Sequence, residues 1–328
     1  THWPDGVTFF ILQGLSSLGE KQMILFVILL LGYIVILGGN SMTLTDPKLD
    51  SPMYFFLANL SFVEMAFTTS SIPKMLSGFL SDVSIISVPG CFLQMHFFSQ
   101  LSITVSAILT VMAYDRYVAI CNPLHYTSIM TRPVQLLLIT GAWVFSVVFT
   151  LPPAIIALLR PYCGPNVVKH GWCDLSSVRR LACADTSMDN IVSLSLAMVA
   201  LLTPGSLILT SYALIGVSLA RMAVTQRLKA FGTCSAHLTV VTISFSSASF
   251  VYISYRVGNF SPEVQDSDNL TSVFTFLLYT ALTPFLNPLI YSLRNKELQE
   301  SIRRILSRFR SNFNFSQIFK ILFTFVTL

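Results

Sequence analysis

The sequence predicts an all-α membrane protein, a bundle of seven transmembrane helices with its N-terminus outside. Three observations carry this expectation. Only 11% of the 328 residues are charged, against about 25% in an ordinary globular domain. Hydrophobic residues make up 53%, Phe alone supplies 26 positions, and the mean hydropathy is +0.70. The apolar residues also gather into stretches of about 20 or more, the length a helix needs to cross a bilayer. So little charge cannot cover the surface of a water-soluble fold of this size. With only 15 Gly and 15 Pro, disordered and collagen-like chains are excluded too.

Taken in order, the first span covers residues 22–45, uncharged and rich in Leu and Ile. The second, 52–80, is apolar apart from Glu64 and Lys74. The third, 91–118, carries only the imidazole of His96 until it closes on Asp115-Arg116-Tyr117. The fourth (133–159) and fifth (190–221) are uncharged up to Arg221. The sixth, 229–256, is rich in Ser and Thr and so only moderately hydrophobic, and the seventh covers 270–293. A short amphipathic eighth helix is expected over 294–308. The bundle then reads as one unit over 1–310, followed by a Phe-rich hydrophobic tail, 311–328. At 18 residues that tail suits an interfacial segment better than a span.

Seven is odd, so the termini lie on opposite faces. With the N-terminus outside, thirteen of the twenty Lys and Arg fall on the cytoplasmic side, as the positive-inside rule requires. Cys91, Cys163, Cys173 and Cys183 then lie outside, where disulfides persist, and four cysteines allow three connectivities. Cys121 and Cys234 lie at cytoplasmic helix ends, where thiols stay reduced. The net charge of +5 is spread over short segments, so no nucleic-acid partner is expected. Membrane lipid is.

An ionisable group inside a bilayer is costly and is a functional candidate by default. Glu64 is the one acid deep in a span, with Asn40 and Asn287 as candidate partners on the first and seventh. Pro288 removes a backbone donor and leaves the carbonyl one turn earlier free to recruit such partners. The seventh helix is therefore either a hinge or a static kink. Asp115-Arg116-Tyr117 reads as a positive-inside anchor, or as an ion pair that opens to expose Arg116. There is no HExxH, GxSxG, phosphate loop or carboxylate pair, so no enzyme and no cofactor are expected. Met95 and His96 are adjacent and point apart on a helix, so no metal site is expected either.

Four long motifs then spell a family. Ser51-Pro52-Met53-Tyr54-Phe55-Phe56-Leu57-Ala58-Asn59-Leu60-Ser61, Met112-Ala113-Tyr114-Asp115-Arg116-Tyr117-Val118-Ala119-Ile120-Cys121, Lys229-Ala230-Phe231-Gly232-Thr233-Cys234 and Pro284-Phe285-Leu286-Asn287-Pro288-Leu289-Ile290-Tyr291-Ser292-Leu293-Arg294-Asn295 resemble vertebrate odorant receptors of the tetrapod type. The likeness runs from about Val7 to Arg308. It implies a rhodopsin-like receptor that binds a small volatile odorant and couples to the olfactory-type stimulatory G protein, raising cAMP. It places the chain in the plasma membrane as a multi-pass glycoprotein, in the cilia of olfactory sensory neurons.

Carried over residue by residue, the resemblance implies pairing of Cys91 with Cys173 and of Cys163 with Cys183. It makes Asp115, Arg116 and Tyr117 the G-protein-facing switch, and Asn287, Pro288 and Tyr291 the seventh-helix switch. The odorant pocket would be lined by Phe98, Ser99, Ser102, Ile103, Leu202, Phe245, Ser249, Tyr252 and Thr280. With Arg256 at the rim as the only cation near that set, a neutral ligand is expected. Four departures stand out. Glu64 replaces the family's usual Asp, and Val105 replaces a Glu facing it. Residues 40–52 run about four residues short of the family spacing, roughly one helical turn, and the 311–328 tail is atypical. A receptor of the same fold for an internal metabolite has the same chemistry. A transporter is disfavoured by the odd span count and the lack of internal repeats.

Overall fold

The computed structural model describes residues 8–12, 21–44, 51–81, 83–163, 166–168, 171–260 and 277–294. The eighth helix at 294–308, the 311–328 tail and the shortened inner segment 45–50 lie outside the described residues. Helix α1 covers Lys21–Leu44. The second span comprises α2 (Pro52–Thr69) and α3 (Ile72–Phe79). The break has a local cause. Thr68 Oγ1 donates to the Glu64 carbonyl (2.9 Å) and Ser70 Oγ to that of Phe67 (2.7 Å), bonds that compete with the helical ladder. Pro73, in the first turn of α3, then has no N–H to continue it.

Helix α4, Val88–Cys121, starts on Ser87, whose hydroxyl accepts from the Gly90 N–H at 3.2 Å, with Pro89 in the first turn. It is the central helix, packed against α2, against α6 (Arg132–Leu158) and against α8 (Ser187–Ala220). The short α5 (Tyr126–Ile129) lies in the second inner loop and α7 (Leu175–Arg179) in the second outer loop. Helix α9 covers Val224–Phe260. A π-helical turn, Leu277–Leu282, leads into α10, Thr283–Arg294. The main core joins Phe56, Leu60 and Val63 of α2 to Leu101, Ile108 and Met112 of α4, with Ile139, Ile208, Val240 and Tyr291 around them.

Ile24, Val27, Ile28 and Leu31 of α1 and Leu136, Leu137, Val144 and Val148 of α6 are exposed. In water such stripes would aggregate; in a bilayer they meet lipid. Among the described residues, five spans are long and apolar enough to cross a membrane by length and composition. The sixth, α9, is less apolar, and two of its threonine hydroxyls bond within the helix. Thr239 Oγ1 donates to the Ser235 carbonyl (2.7 Å) and Thr242 Oγ1 to that of Leu238 (2.8 Å), which satisfies both without water.

One feature of the fold lies beyond the helices. On the outer face a three-stranded sheet has the N-terminal strand at its centre. β1 (Phe9–Leu12) pairs antiparallel with β2 (Ser84–Ser87) and parallel with β3 (Val167–Val168). Phe10 is buried beneath it, edge-on to Tyr162 at 6.0 Å, in a second core with Val88, Phe92, Met95 and Val178. Tyr162 donates its hydroxyl to the Ala157 carbonyl at 2.6 Å, and burial pushes its pKa up to about 12.

Candidate functional site

The outer loops are stapled by two disulfides. Cys91, in the first turn of α4, joins Cys173, 82 residues away, and Cys163 joins Cys183 within the second outer loop. Gln94, one turn below Cys91, reinforces the first. Its Oε1 accepts from the Cys173 N–H (3.0 Å) while its Nε2 donates to the Ser70 carbonyl (3.0 Å), exposed by the break between α2 and α3. One side chain thus registers α4, the broken second span and the loop. No motif pointed to Gln94; its role arises from the break itself.

Below that loop, Phe98, Ser99, Ser102 and Ile103 occupy one stretch of α4 and are half-buried. Phe98 packs on Phe67 with ring centroids 4.9 Å apart. Ser99 Oγ donates to its own helix, at the Met95 carbonyl (2.9 Å). Phe245 of α9 lies against Gly205 of α8, so close that a Cβ there would sit 3.4 Å from the ring. Ser249, one turn further along α9, is half-buried. Thr280 is fully buried in the π-helical turn, and its hydroxyl has no partner among the described residues. Leu202 does not join them. It is 58% exposed on the outer surface of α8, because an almost uniformly apolar helix gives no pattern from which to choose its inner face. The side chains of Tyr252 and Arg256 lie outside the described residues.

The buried polar cluster ties three spans together. Asn287 Nδ2 donates to Glu64 Oε1, and Glu64 is 1% exposed. Asn40 bonds elsewhere than to the acid. Its Nδ2 donates to the Ile36 carbonyl (3.0 Å) and to that of Pro284 (3.2 Å). Pro284 is four residues before Pro288, so its carbonyl is the one that the proline leaves without an N–H. Glu64 Oε2, Asn40 Oδ1, Asn287 Oδ1 and the Tyr291 hydroxyl are buried and have no partner among the described residues. Val105 is buried and adds no charge.

At the cytoplasmic end the Asp115 carboxylate is held twice. Arg116 donates to Oδ2 through Nε (3.1 Å) and Nη2, and the Tyr126 hydroxyl donates to Oδ1 at 2.7 Å. Burial and then the adjacent Asp115 carboxylate raise the Tyr126 phenol above its ordinary pKa, so it remains a donor. Tyr117 is half-buried and stacks toward Tyr114 at 6.4 Å. Nearby, the Tyr212 hydroxyl of α8 is hydrogen-bonded to His237 Nδ1 of α9 at 2.6 Å. Tyr126, Tyr212 and His237 have no local sequence signature that singles them out; only packing brings them to Arg116. Among the described residues no group of His, Cys, Asp and Glu could hold a metal ion.

The olfactory receptor family profile matches residues 23–309. The chain belongs to the olfactory receptor family. It is 42% identical to human olfactory receptor 10A7 over 307 residues, covering 92% of this chain and 95% of that one. It is 40% identical to human olfactory receptor 13C2 over 306 residues (91% and 95%), and 39% identical to mouse olfactory receptor 4B13 over 303 (91% and 96%). The fold is that of a rhodopsin-like receptor. Squid rhodopsin superposes with a TM-score of 0.67 at 16% identity, covering 90% of this chain and 88% of that one. The protein is therefore a multi-pass membrane receptor and not an enzyme.

Proposed function

We propose that this olfactory receptor is a switch opened by a small, mostly apolar odorant and read by the olfactory-type stimulatory G protein, which raises cAMP. Residues 1–310 form the receptor domain, placed in the plasma membrane and, as the family implies, in the cilia of olfactory sensory neurons. The odorant lies between α4, α8, α9 and α10, against Phe98, Ser102, Ile103, Phe245 and Thr280. The resemblance adds Tyr252 of α9 to this set. One observation supports the switch above the others: Asp115 holds Arg116 on one side and is itself held by Tyr126 on the other. An ion pair whose carboxylate is anchored separately can release its guanidinium without losing its place. Helix α10, interrupted by Pro288 and tied to α2 through Asn287 and Glu64 and to α1 through Pro284 and Asn40, supplies a hinge by which movement near the odorant reaches that pair.

The test is a cAMP reporter in cells expressing the receptor with the olfactory G protein α subunit, screened against a broad odorant panel. Wild type should respond to at least one odorant. Arg116→Ala should be silent at equal surface abundance. A full response from Arg116→Ala would make Arg116 an anchor only and overturn the switch.

A further inference from the structure

Charge at the outer rim does not pair completely. Arg160 and Asp189 form a fork, Nε to Oδ2 at 2.7 Å and Nη2 to Oδ1 at 2.6 Å, which takes both oxygens of that carboxylate. Asp174 caps α7. Its Oδ2 accepts from the backbone N–H groups of Ser176 and Ser177 and from the Ser177 hydroxyl, at 3.1–3.2 Å. Between them sits Arg179, the last residue of α7 and only 4% exposed.

Among the described residues Arg179 donates to neutral acceptors alone. Nη1 donates to the Asp189 backbone carbonyl (3.3 Å) and to Asn190 Oδ1 (2.8 Å), and Nη2 donates to Ser193 Oγ (2.6 Å). Its Nε is buried and has no partner among the described residues. Among the described residues no carboxylate lies within ion-pair distance of it; the pairs present are Arg116–Asp115 and Arg160–Asp189. A buried guanidinium without a carboxylate in contact is costly. Burial accordingly lowers its pKa, although Asp189, Tyr162 and Asp174 pull the other way from a distance, and arginine remains charged throughout. The first turn of α8, which supplies Asp189 and Asn190, adds the positive end of a helix dipole. Planar and anchored along one edge by Asn190 and Ser193, the guanidinium leaves its buried Nε donor unpaired, the geometry that a second planar oxyanion fits.

We propose that Arg179, positioned by Asn190 and Ser193, is an anion subsite that admits small carboxylates on an apolar chain as ligands of this receptor. The carboxylate supplies at Nε the contact that Asp189 and Asp174 do not make, and the chain turns into the bundle. A phospholipid headgroup is too bulky for a group so nearly sealed, which commits the site to a small molecule. This inference rests on the receptor reading and sharpens it, because a neutral ligand was expected from the sequence. Hydropathy places Arg179 in an outer loop as an ordinary exposed cation. Only the fold buries it.

The experiment uses the full-length receptor in the cAMP assay with straight-chain carboxylates from butanoate to octanoate, their methyl esters and the matching alcohols, and with surface abundance measured in parallel. At least one carboxylate should activate. Arg179→Gln should right-shift that response by about tenfold to a hundredfold, the value of a charge-assisted hydrogen bond, and leave ester and alcohol responses within about threefold. Arg179→Lys should restore part of the loss, and Ser193→Ala, a milder variant that keeps the charge, should shift acids alone by about threefold. Activation by esters or alcohols with no response to any carboxylate overturns the subsite and leaves the receptor reading standing. So does an acid response that Arg179→Gln and Ser193→Ala leave unmoved. Silence toward every class, and toward the broad panel, overturns the receptor reading itself.

Discussion

Helix α1 approaches α10 at Pro288 so closely that two adjacent glycines should behave oppositely when each is replaced by alanine. A Cβ on Gly39 would sit 3.0 Å from Pro288 Cβ and 3.2 Å from its Cγ, whereas one on Gly38 would meet nothing within 4 Å. Both replacements gain helix propensity, up to about 1 kcal/mol. Gly39→Ala also overpacks the contact, at a cost of about 1–3 kcal/mol. The Pro288 ring cannot turn aside, so the two helices must part by a few tenths of an ångström. That strains the Asn40–Pro284 bond, already 3.2 Å long, with a further loss of about 0.5–1.5 kcal/mol. Gly39→Ala should therefore destabilise by about 0.5–3.5 kcal/mol, and the two variants should differ by about 1.5–4.5 kcal/mol. At about 2–4 °C per kcal/mol for larger domains, this separates their melting temperatures by at least about 3 °C. Purified receptor in nanodiscs, heated with a thiol-reactive dye, supplies the assay, because Cys234 is free and buried and reacts on unfolding. Equal melting temperatures for the two variants would show that α1 and α10 are not in contact at Pro288, and the hinge argument would lose its fulcrum.

What the sequence made legible is what periodicity and local covalent chemistry control. Span length follows from bilayer thickness, and a proline determines which carbonyl loses its donor, so the bare Pro284 oxygen could be located from Pro288 alone. That Asn40 would fill it, rather than bond Glu64, depends on the depth of α1 relative to α10, which no local pattern encodes. The outer sheet was illegible for a related reason. β1 is four residues long and its parallel partner Val167–Val168 lies more than 150 residues away, so nothing near Phe9–Leu12 in sequence marks it as a strand. Inner and outer faces were hard to assign on α8, where Leu202 is exposed and Ala200 and Ile208 are buried within one apolar run. Arg179 shows the limit most plainly. Hydropathy locates charges in loops and is silent on whether the loop folds back over them.

The two staples should differ in strength. On the chain-entropy account a loop closed over 82 residues constrains the unfolded chain by about 4.5 kcal/mol and one over 20 residues by about 3.3 kcal/mol, upper values for a chain that the bilayer already confines. Cys173→Ser should therefore lower the melting temperature and surface level more than Cys183→Ser does, and the reverse order would mean that the bridge within the second outer loop is the main tether. Tyr126→Phe removes the second hold on Asp115 and should change basal cAMP at unchanged surface level, whereas unchanged basal output would confine Tyr126 to loop packing. For the pocket, Tyr252→Phe separates ligand contact from bundle packing because it retains the ring and removes only the hydroxyl. One oriented hydrogen bond contributes about 0.5–1.5 kcal/mol, so responses to oxygen-bearing agonists should shift right by about threefold to tenfold and those to pure hydrocarbons should stay in place. Equal loss for both kinds of agonist would assign Tyr252 to the helix bundle, since a hydrocarbon has no atom to which a phenol can donate. No shift for either would move the pocket away from the outer half of α9 altogether.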